Sequence, residues 1–397
     1  MNKSISFSLL VILCLYPFLC GAQKKDTTAI KPVADSLWVP ADVDIHGIDT
    51  FANYAITAYT DVYYADYTDY TRHGDFVKFP TISPRNNSLG LNDFQVSCRY
   101  DGDKIRGTAT LQYGDIAQSA WSATYNNIQE AHAGVRLFNT LWLDGGFFKT
   151  HFGTENLLPV DNIASSLSTG TYYEPYYEAG LRLNYDPNPQ LEINLFLLNG
   201  YNMFEDNNDR KSFGAGITYK LNDYVCIGYT NYIGNDAPDS VQISKLRVAQ
   251  NVFFNYHKKR LRIQAGADLY VQQHADITNS QMSGMAYSGL ATVGYQLKPK
   301  LAIYGRGEVF SDANAILSPA IIDASNRLTG YKLWGATLGI EYKPVDNAYI
   351  RLETRRLQMA TYQDIYLYDH TYVNYRYEVM VTAGISLTLL KGFETRN

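Results

Sequence analysis

Beyond its N-terminus the chain has no run of 18 consecutive apolar residues. A helix needs roughly 20 to cross a bilayer, so a helical membrane bundle is excluded. The mature protein is then either soluble or crosses a membrane as strands. Cysteine is scarce: of four, Cys14 and Cys20 lie in the N-terminal segment. Cys98 and Cys226 fall in strands far apart in order, and free buried thiols are expected rather than a disulfide. Excess charge is missing too. With 34 Lys and Arg against 39 Asp and Glu the net charge is −5, without the clustered basic residues that nucleic acid requires. The histidines (His46, His73, His132, His151, His257, His274 and His370) show no His-x-x-x-His or Glu-x-x-His spacing for a metal. No Gly-x-Ser-x-Gly elbow and no phosphate loop occurs. The sequence thus gives no motif for a catalytic residue, a metal or a cofactor, and none is expected.

What is present begins with a secretory signal. Lys3 supplies the charged start, Ile5 to Leu19 is nearly all apolar, and Cys20-Gly21-Ala22 offers small residues for cleavage. Residues 1–22 are read as a signal peptide, with the mature chain starting at Gln23. The apolar run is too short for a membrane anchor, and Phe18-Leu19 before Cys20 is a poor lipoprotein signal. Residues 23–50 carry Pro32 and Pro40 and no sustained period, and are expected to be an exposed periplasmic leader.

From 51 to 397 the expectation is one domain. The chain holds 34 Tyr and 17 Phe, which favours strands and suits the aromatic girdles of a membrane barrel. Alternation is clean near the C-terminus. There Tyr377, Val379, Val381, Ala383, Ile385, Leu387 and Leu389 interleave with Glu378, Thr382, Gly384, Ser386 and Thr388. Tight reversals such as Asp101-Gly102-Asp103, Asp186-Pro187-Asn188-Pro189 and Lys298-Pro299-Lys300 use residues suited to turns. They alternate with long connections at 65–90, 115–126, 152–174, 201–210, 234–243, 274–282, 312–331 and 359–373. A soluble sandwich has no reason to collect its short turns at one end. The pattern predicts an all-β fold, a transmembrane antiparallel up-and-down β-barrel of about 16 strands with short periplasmic turns and long outer loops.

If the apolar faces meet lipid, the polar faces meet the lumen. The basic set is Arg99, Arg106, Arg136, Arg182, Lys245, Arg247, Arg262, Arg306, Arg351 and Arg355. The acidic set is Asp93, Glu130, Asp144, Glu178, Glu192, Asp268, Glu308, Glu353 and Glu378. So many charges imply water inside, and a barrel of about 16 strands is wide enough for it. Two arrangements stay open: charges segregated on opposite walls, creating a transverse field, or charges paired across neighbouring strands. The loop 152–174, with Glu155, Asp161 and Glu174 and a run of Ser and Thr, is the candidate to fold inward and narrow the lumen, or else to cover the outside.

Gly145-Gly146-Phe147-Phe148-Lys149-Thr150, Phe152-Gly153-Thr154-Glu155, Asn162, Ser165-Ser166, Pro175 and Gly180 resemble the putative β-barrel porin family of Gram-negative outer membranes, in the form seen in Bacteroidetes-type bacteria. Asn199-Gly200, Asp209 and Lys211 continue the pattern. The resemblance implies an outer-membrane pore for passive diffusion of small hydrophilic solutes or ions, surrounded by lipid. Family analogy points to a homotrimer. Thr382, Gly384, Leu387 and Leu389 resemble the signal read by the barrel-assembly machinery, with Lys391 to Asn397 following it and Phe393 as the aromatic element.

Two other readings compete. Some outer-membrane barrels are hydrolases; Ser97 and His132 are the candidate pair, of a kind that arises by chance, and no enzyme is expected. The other is a non-conducting barrel whose extracellular loops bind a ligand or host surface. The segment 65–90, with Tyr67, Tyr70, Arg72, His73, Phe76, Phe79 and Arg85, is the candidate surface, or else a loop that packs on its neighbours, the reading preferred.

Overall fold

The structure is a computed structural model that describes residues 51–69, 74–241 and 243–395. The expected signal peptide and leader, and Tyr70, Arg72 and His73 of the first loop, lie outside the described residues, as does the Phe393 side chain.

The strands are β1 (Phe51–Tyr67), β2 (Ser88–Asp101), β3 (Ile105–Tyr113), β4 (Ile128–Phe138), β5 (Leu141–Lys149), β6 (Tyr177–Asn188), β7 (Leu191–Leu198), β8 (Ser212–Asn222), β9 (Val225–Gly234) and β10 (Arg247–Lys258). They continue as β11 (Leu261–Gln272), β12 (Gly284–Lys298), β13 (Leu301–Ser311), β14 (Ile321–Ile322), β15 (Leu328–Thr329), β16 (Lys332–Val345), β17 (Ala348–Met359), β18 (Tyr366–Tyr368), β19 (Thr371–Val373) and β20 (Tyr375–Thr395). The pairs β14–β15 and β18–β19 are separate ribbons within long loops. The other 16 strands form a closed antiparallel barrel in chain order. β1 pairs with both β2 and β20, so the sheet has no free edge.

Each barrel strand is inside-out relative to a soluble protein. On β16, Trp334, Leu338, Ile340 and Tyr342 are exposed, while Thr337 and Glu341 between them are buried. On β17, Ile350 and Leu352 are exposed and Arg351, Glu353 and Arg355 are buried. An apolar outer band around a polar interior is stable only if lipid covers the outside. Among the described residues no helix is long and apolar enough to cross a membrane.

Every expected reversal is present. At the short-turn end Asn139 (φ 42°) and Lys259 (φ 55°) take the left-handed conformation that tight hairpins need. Asparagine adopts it readily, whereas lysine does so at a cost of about 1–2 kcal/mol. The segment Lys391 to Thr395, expected as a tail, is instead strand: it pairs with Ala55 to Phe51 and lengthens the closing seam. The remaining cysteines are free as expected, but Cys98 is exposed rather than buried because it lies on the outward parity of β2.

Candidate functional site

The connection between β5 and β6 departs from simple loop behaviour. Most of its residues from Phe152 to Tyr176 are buried, although it is polar and rich in Ser, Thr and Gly. It carries a 3-10 turn (Pro159–Asp161) and a short helix α1 (Thr169–Tyr172), whose cap Ser168 accepts a hydrogen bond from Thr171 N at 3.2 Å. Small side chains let its backbone lie against the far wall of the barrel.

Wall and loop are joined mainly through that backbone. Arg351 of β17 donates from Nη1 to Pro159 O (2.7 Å) and Ala164 O (3.2 Å), and from Nη2 to Asn162 O (2.9 Å). Glu353 accepts from Ser165 N (2.8 Å), Ser166 N (3.2 Å) and the Tyr304 hydroxyl (2.8 Å). Glu308 of β13 accepts from Thr169 N at 2.6 Å. Arg306 donates to Glu155 Oε1 (2.9 Å) and to Ser166 O. On β11, Gln264 donates to Thr154 O at 2.7 Å. Thr154 also lies over Gly266, where a Cβ would collide with its hydroxyl. The bonds made by Arg306, Glu308, Arg351 and Glu353 are buried and charge-assisted, the stronger class of protein hydrogen bond.

Behind the loop the wall charges neutralise one another. Arg351 pairs with Glu341 at 2.7 Å, and Arg262 with the same carboxylate at 3.1 Å. Arg355 pairs with Glu308 (2.7 Å) and Glu378 (3.5 Å), and Arg376 with Glu378 (3.1 Å). Glu174, at the loop's end, is buried and next to Asp268 and Glu155. Burial, reinforced by those two carboxylates, raises its pKa well above the ordinary 4.5, which favours the neutral form.

The opposite side, β3 to β7, is not covered in this way. Arg106 and Arg182 both reach Asp144, at 2.5 and 3.1 Å. Arg106 and Arg136 stack on Trp142 at 4.6 and 4.7 Å, and Arg182 on Phe148 at 5.0 Å. His151, just past β5, contacts Glu178 (2.9 Å) and Asn231 O (2.8 Å). Burial acts to lower its pKa, but the charge and hydrogen bond of Glu178 outweigh that and the net shift is upward. Between the loop and this side lies an opening of about 170 Å³, lined by Lys149 and Arg182 on the wall, Glu192 of β7, and Asp161 and Glu174 of the loop.

The residues singled out from sequence therefore fall into separate groups. Arg306, Glu308, Arg351, Glu353 and Arg355 come together under the loop with Glu155. Asp268 joins them from β11, bonded to Asn251 at 2.6 Å and to Ser288. Arg106, Arg136 and Arg182 form the separate ladder around Trp142 and Asp144. Arg99 bonds Asp101 at 2.7 Å by the short turn after β2. Arg262 stands at the start of β11, by the turn after β10. Arg247 lies at the long-loop end, over the Tyr201 ring at 4.7 Å. Asp161 is exposed. Glu341 and Arg376 were absent from the sequence reading, though they alternate with Ile340, Tyr342 and Tyr377, which was signal enough. Ser97 accepts from Thr110 at 2.7 Å, and His132 lies 3.6 Å from Glu130. Among the described residues no group of three or more His, Cys, Asp and Glu is placed to hold a metal ion.

Comparison with known proteins agrees with this geometry. A family described as "Putative beta-barrel porin-2, OmpL-like" matches residues 53–387. No functionally curated protein matches the sequence. Among solved structures, the anion-selective porin from Comamonas acidovorans superposes with a TM-score of 0.57 at 8% identity, over 85% of this chain and 100% of that one. The outer membrane channel DcaP of Acinetobacter baumannii gives 0.56 at 14% identity, over 85% and 97%. A trimer form of OmpT, an outer membrane protein of Vibrio cholerae, gives 0.50 at 10% identity, over 85% and 100%. At such identities the likeness is one of fold.

Proposed function

This chain belongs to the putative beta-barrel porin-2, OmpL-like family, and from that premise we propose that it forms a water-filled outer-membrane channel for passive diffusion of small hydrophilic solutes or ions. A porin barrel implies an outer-membrane location, with lipid against its apolar band. One observation carries the reading: the β5–β6 loop is pinned to one side of the lumen and leaves a polar opening along the other.

In this reading Arg182, with Lys149, lines the passage at its narrow level, and Arg106 and Arg136 continue the ladder toward the short-turn end. Arg99 and Arg262 stand at its short-turn mouth and Arg247 at its long-loop mouth. Arg306, Glu308, Arg351, Glu353, Arg355 and Asp268 seat the loop, and Glu155 ties it from within. Asp161 and Glu174 face the basic ladder from the loop. Cations on one side and carboxyl groups on the other polarise water in the opening and select solutes by charge and dipole. Export through a cleaved signal peptide, insertion by the barrel-assembly machinery, a Bacteroidetes-type source and a homotrimer belong to the same proposal. Sedimentation of the detergent-solubilised protein tests the last.

The channel itself is tested by reconstitution in planar bilayers. Stepwise, ohmic conductance is the expected result. A barrel verified by circular dichroism that gives no conductance above background overturns the reading in favour of a non-conducting barrel with ligand-binding loops.

A further inference from the structure

A second cavity, of about 450 Å³, opens at the long-loop end above the narrow level. Its size is within the ~300–1,000 Å³ of small-molecule sites. Trp121, Tyr172, Tyr173, Tyr176, Tyr201 and Glu174 are among its lining residues. Several of these rings are fixed by their polar tips. Trp121 Nε1 donates to Ile128 O (2.7 Å), Tyr176 Oη to Tyr172 O (2.9 Å) and Tyr201 Oη to Tyr173 O (2.8 Å). Tyr173 stacks on Phe310 with centroids 5.2 Å apart. The cavity is therefore aromatic and already ordered, so little conformational entropy is lost when something binds in it.

Its charge is spent. Arg247, also in the lining, donates to Gln272 (2.9 Å) and Ile316 O (3.2 Å), and lies 3.9 Å from Asp236. Burial beside Asp268 and Glu155 shifts the Glu174 carboxyl toward its neutral form. Glu174 Oε1 is nonetheless a buried polar atom without a hydrogen-bond partner. Buried polar atoms are rarely left so. Such a site disfavours an ion of either sign and suits a molecule with flat C–H faces and a rim of hydroxyl groups. Glu174 lines both this cavity and the opening below it.

We propose that the aromatic cavity is a binding site for a neutral sugar, which stacks on its rings and hydrogen-bonds Glu174 before entering the opening. That onward route rests on the channel reading; the binding itself does not.

Titration calorimetry of the detergent-purified full chain, with glucose, maltose and raffinose as probes, tests it. Polyethylene glycol of matched mass and choline serve as comparisons. At least one sugar is expected to bind with a Kd of about 1 mM or tighter. Tyr172→Ala should weaken that binding about tenfold, the scale of one lost aromatic contact, and Tyr172→Trp should restore it. Heat-dependent gel mobility verifies that each variant is a folded barrel. No heat with any sugar, an unchanged Kd in Tyr172→Ala, or choline binding tighter than every sugar overturns the proposal. Sugar binding without bilayer conductance would overturn the channel and leave the site standing. Conductance without sugar binding would do the reverse.

Discussion

Replacing Arg351 by methionine tests whether the loop is held by the wall. The side chain is 1% exposed and makes three hydrogen bonds to loop carbonyls. Methionine keeps much of the length and the apolar packing but donates nothing. Of the orphaned acceptors, Pro159 O still receives Asn162 N at 3.2 Å, and Glu341 still pairs with Arg262 at 3.1 Å. No naked charge is left, so the loss is mainly that of the bonds themselves. A hydrogen bond to a charged group contributes about 1.5–3 kcal/mol. Counting the two shorter ones at the low end gives about 3 kcal/mol. That shifts the local open-to-closed ratio by roughly a hundredfold. The barrel ladder and α1, which Glu308 and Arg355 hold separately, should stay closed. Hydrogen exchange read by mass spectrometry should then show peptides across 156–166 exchanging about a hundred times faster, while strand peptides are unchanged. Single channels should show added current noise. Unaltered protection across 156–166 would refute the idea that Arg351 seats the loop.

Glu174 gives a prediction with a definite sign. Its folded pKa lies above the ordinary 4.5. Below that value it is protonated in both folded and unfolded chains and has no effect. Above it the unfolded chain ionises first, so the group costs stability that grows with pH until the folded carboxyl also ionises. Glu174→Gln should therefore raise the melting temperature at pH 7.5 and leave it unchanged at pH 4. An equal offset at both values contradicts the assignment. Removing cations from the ladder with Arg136→Gln and Arg182→Gln should move the bilayer reversal potential toward cations, and no movement means that they do not face the ion path. Gly266→Val puts a side chain where Thr154 rests; it should lift the loop and raise conductance while gel mobility remains that of a folded barrel. An unchanged conductance would show that this contact does not set the opening.

Strand parity was legible because it needs only neighbours. Ile350 and Leu352 alternating with Arg351 and Glu353 assign both faces of β17 without reference to anything distant. The same rule, applied further, would have included Glu341 and Arg376. What parity cannot tell is whether an inward arginine meets water or backbone. Arg136 and Arg351 obey one alternation, yet one stacks on the Trp142 ring and the other is sealed under a loop. The difference is made by contacts such as Ser165 N to Glu353, 188 residues apart in the chain. No local pattern encodes a pairing of that span. The sequence left open whether the charges pair or segregate. Under the β5–β6 loop they pair, and the path of that loop decides which of them are covered.

The chemistry of that loop explains why one set of wall charges can be buried at all. A carboxylate or guanidinium taken from water needs partners for all of its lone pairs or protons. Neighbouring strands supply some, as Arg355 does for Glu308. The rest come from peptide groups: Ser165 N, Ser166 N and Thr169 N for the acids, and Pro159 O, Asn162 O and Ala164 O for Arg351. Peptide groups carry donors and acceptors whatever the side chain, but they reach a wall only if the side chains between are small. Gly170 against Ser288 shows the limit, since a Cβ there would be 2.6 Å from the serine Cβ. The Ser, Thr, Ala and Gly that make up all of Ala164 to Thr171 but Leu167 are thus required by the wall they cover. Side chains on the loop's other side, such as the exposed Asp161, are free of that limit.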